Sequence, residues 1–391
     1  YRTDLLVPRE RGLGSSLYVM GYRLAMILSG GIAFIWVDPA QGAGWNWPEV
    51  YRFMAGLMAA AALVSLVALP RVSHALKPSS VASRDLLGFV ALVVAVAAGV
   101  ALTQQICPTV AEALTAPFWE GSTLPQALQG KWTQLLVLLL GMAITLPLAV
   151  GVARAVRFET LLGGLRSYFS QPGAGAFLGF IVLYKLGDAF AGSLMTPFLI
   201  QAMQYGTAEV GVVNKVIGLW LTIGGALLGG ALMLKLGLWR SLMLFGLLQM
   251  ASNLGFWWLA ENGKGQLGAL LIPAFDWGFV KLAQATPVDG GLLMVIAFEN
   301  LSGGMGTAAF VAFLMGLCNQ RFTATQYALL SAFASVGRVW VGPLAGVLAE
   351  TIGWPTFFIL STLAAAPALL MLAWLRRPVS ALDAEPQALD E

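Results

Sequence analysis

Ten stretches of roughly twenty mostly apolar residues follow one another along this chain, and that succession confines it to helices packed in a membrane. They fall at 13–37, 52–70, 86–106, 133–153, 174–202, 210–234, 240–260, 290–318, 323–349 and 354–375. A bilayer offers backbone N–H and C=O groups no water, so each stretch must satisfy its own as a helix. The expected fold class is therefore an all-α polytopic membrane protein of about ten transmembrane helices. Charged residues make up only 10% of the chain and mean hydropathy is +0.79, which excludes a soluble domain with a single anchor. The 45 glycines suit the close backbone approach that helices make in lipid.

Basic residues in the connections set the expected orientation. Fourteen fall in one set of loops, among them Arg9, Arg11, Arg71, Lys77, Arg84, Arg154, Arg157, Arg166, Lys235, Arg240, Arg376 and Arg377. The opposite set holds four: Arg52, Lys131, Lys264 and Lys281. The positive-inside rule then places both ends of this chain in the cytoplasm. The net charge of +3 is accounted for by these loops, and no basic stripe points to nucleic acid. Cys107 and Cys318, near the ends of different spans, are not expected to form a disulfide. The lone His74 reads as a solvated loop residue, and neither a metal nor a cofactor is expected. Trp257-Trp258 reads as an interfacial aromatic pair. The chain opens at Tyr1 with no signal-peptide pattern and reads as though entered from upstream sequence.

A few charges break the apolar pattern within the spans, where each costs roughly 2.5–3.5 kcal/mol on insertion scales. Lys185 and Asp188 are three residues apart, on one face of a helix, and can neutralise each other. Lys215, Glu299, Arg338 and Arg23 are placed similarly. Several internal charges imply a polar path through a helix bundle, hence transport. Asp188 and Glu299 are candidate proton carriers; the alternative is that each sits in a static ion pair. Lys185, Lys215, Arg23 and Arg338 are candidates to bind an anionic cargo, with Asn214 and Asn300 as hydroxyl partners. Lys215 snorkelling to the interface is the alternative for that residue. Tyr22 and Tyr184 are candidate stacking platforms for sugar rings. Gly21, Gly187, Gly303, Gly304 and Gly306 are candidate gating or packing positions, and the Gly303–Gly306 run is expected to bend its helix or to pack closely. Short loops without a metal-binding Asp-x-Asp or a histidine base argue against a membrane enzyme.

Gly230-Ala-Leu-Met-Leu-Lys-Leu-Gly-Leu-Trp-Arg240 lies between two spans and resembles a degenerate copy of the loop signature of the major facilitator superfamily. Arg11-Gly-Leu-Gly-Ser-Ser-Leu-Tyr-Val-Met-Gly-Tyr-Arg23 is similar to a span of the anhydromuropeptide permeases, the AmpG family of that superfamily. So are Leu183-Tyr-Lys-Leu-Gly-Asp-Ala-Phe190, Gly211-Val-Val-Asn-Lys215, Phe298-Glu-Asn-Leu-Ser-Gly-Gly-Met-Gly306 and Ala324-Thr-Gln-Tyr, which continues to Arg338. These matches cover most of the chain outside 71–170.

The resemblance implies a monomeric, proton-linked importer of GlcNAc-anhydroMurNAc peptides in the bacterial inner membrane, in contact with membrane lipid. It further implies a role in peptidoglycan recycling and β-lactamase induction. Another facilitator carrier, of acetyl-CoA or a sugar phosphate, is the alternative, as is an inactive piece of the permease. By the same resemblance, four spans precede the matched region. The expected organisation is 1–75 as the remainder of a first bundle and 76–170 as an insertion with two spans and a connector. Residues 171–377 would form a six-helix second bundle, and 378–391 a disordered acidic tail.

Overall fold

A computed structural model describes residues 2–26, 45–68, 82–276, 281–282, 284–319, 322–339 and 341–383. His74 and most of the 13–37 span's second half lie outside them. Helices dominate, in the order α1 (Arg11–Met26), α2 (Trp47–Ala68), α3 (Ala82–Trp119), α4 (Gln126–Ala155), α5 (Glu159–Phe169), α6 (Ala174–Tyr184) and α7 (Leu186–Pro197). There follow α8 (Gly218–Asn262), α9 (Gly290–Gly316), α10 (Thr323–Val339), α11 (Val341–Ile352), α12 (Trp354–Trp374) and α13 (Arg376–Ala381). Among the described residues, seven helices are long and apolar enough to cross a membrane. The chain is an all-α polytopic membrane protein.

Seven is fewer than ten partly because α8 carries two of the expected spans. Its Gly237 adopts φ 74°, ψ 171°, outside helical space and open chiefly to glycine. Two sets of contacts show that the chain folds back there. Gly225 and Gly229 in the first limb lie against Leu301 and Met305 of α9, while Gly255 and Gln249 in the second lie against Val295 and Gly306 of the same helix. The Gly230–Arg240 segment is thus a tight turn between antiparallel limbs.

Two local expectations change, at α3 and in the tail, and one open alternative is decided at Gly303–Gly306. α3 runs 38 residues through Pro108 and Pro117 to Trp119, well past the expected end at 106. A proline inside a packed membrane helix loses one backbone bond and need not end it. The Gly303–Gly306 run does not bend α9, which is continuous from Gly290 to Gly316. A methyl group on Gly304 would overlap the Thr222 carbonyl, so these glycines set how closely α8 and α9 approach. The acidic tail is helical as far as Ala381: Asp383 Oδ2 accepts from the Leu238 amide beside the Gly237 turn, and Arg11 donates to the Leu382 carbonyl at 3.2 Å.

Two aromatic cores organise the bundle. One gathers Phe177, Phe180, Tyr184, Phe245, Phe310 and Phe313, with Tyr184 and Phe310 stacked at 5.3 Å. The other gathers Phe190, Phe198, Phe256, Phe357 and Phe358. Helix α6 feeds the first and α7 the second, and Lys185 lies between them at φ −99°, ψ 8°, outside helical geometry. Helix α1 docks on both α8 and α9: Gly12 meets Met233, and Ser15 Oγ donates to the Ala308 carbonyl at 2.7 Å.

Candidate functional site

The helix break at Lys185 positions the site. Lys185 Nζ reaches Asp188 Oδ2 at 3.1 Å and Thr307 Oγ1 of α9 at 3.5 Å. Gln249 of α8 donates to the same Asp188 oxygen at 2.8 Å. The Lys185–Asp188 pair therefore joins three helices, Asp188 linking α7 to α8 and Lys185 reaching α9. The Asp188 side chain keeps 30% of its exposure and that of Lys185 13%, so the pair is largely desolvated. Tyr184, Asp188, Gln249 and Asn253 line a cavity of about 10 Å³, a size that holds about one water. Asn253 Nδ2 is buried there with no partner among the described residues.

Glu299 lies on α9, two turns before Thr307. Among the described residues no cation comes within salt-bridge distance of it, and its Oε2 accepts from Asn300 Nδ2 at 3.0 Å. Asn300 is fixed in turn: its amide nitrogen also donates to the Ile296 carbonyl at 2.9 Å, and its Oδ1 accepts from Thr222 of α8 at 2.8 Å. The charge on Glu299 interacts with those of Asp188, Lys185 and Arg23, which brings α1, α7 and α9 into one electrostatic unit. Arg23 is half-buried, its guanidinium 5.1 Å from the Tyr22 ring centroid, and its Nε is buried with no hydrogen-bond partner among the described residues.

The structure thus brings together Arg23, Lys185, Asp188, Glu299 and Asn300. Tyr184 stands beside them, but its ring is buried in the aromatic core and its hydroxyl donates to the Leu242 carbonyl at 3.0 Å. Tyr22 is exposed and stacks on Tyr18. Arg338 stands apart: it is exposed and bonds Ser335 on its own helix at 3.0 Å. Asn214 lies on the π-helical segment Val212–Ile217, and the side chain of Lys215 is outside the described residues. Gly187 lies against Ala365 and the Ser361 carbonyl, Gly306 against the Gln249 amide and Gly303 near it, while Gly21 has no neighbour within 4 Å of an added Cβ among the described residues.

Gln249, Asn253, Thr222 and Thr307 were not singled out from the sequence. The available signal was polar side chains inside otherwise apolar spans, which tend to face the bundle interior. A π-helical segment at Phe198–Ala202 was also missed; such bulges often mark functional sites.

No protein-family profile matches the chain. It is 36% identical over 374 residues to the anhydromuropeptide permease of Escherichia coli K12, covering 95% of this chain and 55% of that protein. A Rickettsia felis transporter named AmpG 4 is 31% identical over 220 residues, 56% of this chain and 47% of the relative. The Rickettsia prowazekii transporter AmpG 1 is 30% identical over 201 residues, 51% of this chain and 40% of the relative. The chain spans about half the length of the curated relatives it matches.

Proposed function

We propose, from the premise that this chain belongs to the AmpG family of transporters, that it carries anhydromuropeptides across the bacterial inner membrane. The observation that carries this reading is the match to the E. coli permease along 95% of the chain, which takes in every internal charge described above. The cargo would be GlcNAc-anhydroMurNAc with or without its peptide, imported by proton symport and alternating access between two facilitator-type bundles. Residues 1–75 would belong to the first bundle, 76–170 to an insertion and 171–377 to the second bundle, with both ends of the chain in the cytoplasm.

Asp188 and Glu299 are the proposed proton carriers. Two carboxylates share a largely desolvated site in which, among the described residues, Asp188 alone has a bonded cation, so a proton offsets the remaining negative charge. Lys185 and Arg23 are the proposed partners for cargo carboxylates, and entry of an anion would release Lys185 from Asp188. Asn300, Asn214 and Lys215 are proposed cargo contacts, with Tyr22, Tyr184 and Arg338 as further candidates. The glycines would let helices slide at close approach. A doubly charged phosphate cargo would favour an arginine-rich site, whereas among the described residues Arg23 is the one arginine whose charge acts on Glu299.

Uptake of labelled GlcNAc-anhydroMurNAc-tripeptide into vesicles tests the reading, using the 391-residue chain alone and the same chain extended upstream. Uptake by either form, abolished by a protonophore and by Glu299→Gln, is the expected result. Correctly inserted protein that takes up no muropeptide in either form would rule out the cargo. Uptake indifferent to the protonophore would rule out proton coupling alone.

A further inference from the structure

Where α4 gives way to α5, the chain builds a groove of about 780 Å³ that the transport site does not use. Three arginines line it, Arg154 and Arg157 at the end of α4 and Arg166 on α5, against one carboxylate, Glu159. All three are exposed, and among the described residues none of their guanidinium groups has a hydrogen-bond or ion-pair partner. The rest of the wall is largely apolar. Val150 continues it up the membrane-crossing helix α4, and Leu162, Leu165 and Phe169 supply it from α5, with Phe169 53% exposed.

Two features hold the groove open. Arg157 adopts φ 52°, which swings the chain out of α4 and sets α5 across it. Helix α5 is then fastened on its far side: Gln326 donates to the Gly164 carbonyl at 3.0 Å, Tyr168 is buried in the core that holds Phe177 and Phe313, and Thr160 bonds Asp85 at 2.7 Å. Its apolar remainder faces the groove instead of the bundle.

We propose that this groove binds the headgroup of an anionic phospholipid, with the lipid's acyl chains along Val150, Leu162 and Phe169. The arginines sit at the end of a membrane-crossing helix, on the arginine-rich side of the chain, where a lipid phosphate resides. Arginine recognises phosphate through a planar array of donors. A water-soluble anion would use the arginines and leave the apolar wall exposed, whereas a lipid covers both. A bound lipid would tie the α4–α5 corner to the membrane plane and, through the Gln326 bond, steady the start of α10.

Native mass spectrometry of the purified chain tests this, with phosphatidylglycerol, phosphatidylcholine and sn-glycerol 1-phosphate offered separately. Phosphatidylglycerol should be retained over phosphatidylcholine, and each arginine removed should weaken retention about fivefold. The variants are Arg154→Gln, Arg166→Gln and Arg157→Gly, the last replacing a positive-φ residue with one that favours that conformation. Arg240→Gln, on the same basic side but outside the groove, should retain the lipid as wild type does. Equal retention of the two lipids, or loss in Arg240→Gln matching that in the groove variants, would overturn the proposal. Binding of glycerol phosphate as tight as that of the lipid would make this a soluble-anion site instead.

Discussion

Replacing Lys185 with Met should destabilise this protein, and replacing Asp188 as well should restore much of the loss. In Lys185→Met, Asp188 loses a cation 3.1 Å away and keeps only the Gln249 amide at 2.8 Å. A stranded charge at this depth costs roughly 2.5–3.5 kcal/mol on insertion scales. The remaining charge-assisted bond and the 30% exposure of Asp188 reduce that to about 2 kcal/mol. Asp188→Leu should cost slightly more, because Lys185 is then left with Thr307 at 3.5 Å and the Tyr184 ring at 5.9 Å. In Lys185→Met/Asp188→Leu no charge is stranded, and the coupling between the two changes should be about 1–3 kcal/mol. Thermal melts in a fixed lipid–detergent mixture, with all four proteins compared, measure the cycle. Additivity within about 0.5 kcal/mol would show that the pair does not act as a unit and refute the reasoning.

Three further outcomes follow from the packing and the caps. Gly304→Ala should lower stability by about 1–3 kcal/mol, since the new methyl meets the backbone of Thr222 and Ala226, while Gly21→Ala, in open space, should not; melting temperatures that fail to separate the two would count against glycine-set packing. Asp289→Ala should cost about 2 kcal/mol, because that carboxylate accepts from the amides of Leu292 at 2.8 Å and Gly265 at 2.7 Å; hydrogen exchange at the start of α9 should rise with it, and unchanged exchange there would contradict the cap. Burial, outweighing the Leu238 amide and Arg11, raises the Asp383 carboxyl above its ordinary value of 3.8, so the docked state prefers the protonated form. Docking of residues 376–383 should therefore tighten as pH falls through the raised value and level off below 3.8, and protection of that segment from proteolysis that weakens on acidification would contradict this sign.

Much of the architecture was legible because lipid leaves few options. The apolar runs gave the helices, and the Gly230–Arg240 pattern gave the turn at Gly237. The Lys185–Asp188 spacing gave their pairing, although the helix breaks at Lys185 instead of running through. Gly187 and Asp188 follow closely, but inside an apolar run they read as a packing position and an internal charge and do not announce that break. It arises because α6 and α7 enter different aromatic cores, a tertiary fact that local sequence does not carry. The same holds for Asp383: an acidic, Pro-containing tail reads as disordered, yet one carboxylate finds the amide freed by the Gly237 turn. At Gly303–Gly306 the sequence left bending and close packing both open, and packing in the bundle outweighs the intrinsic helix-breaking tendency of glycine there.

The position of the break bears on how the charged site would work. A lysine within an unbroken helix moves only with the whole helix, whereas Lys185 sits between two segments anchored in separate cores. If those cores shift relative to each other, Lys185 is where the backbone change is absorbed. Its bonds to Asp188 and Thr307 would change with it, because Asp188 rides on α7 and Thr307 on α9. Gln249 sits across the same junction, its amide against Gly306 and bonded to Asp188, so α8 would register the shift as well. Coupling between charge and conformation would then need no long relay, since one residue would serve as both hinge and counter-ion.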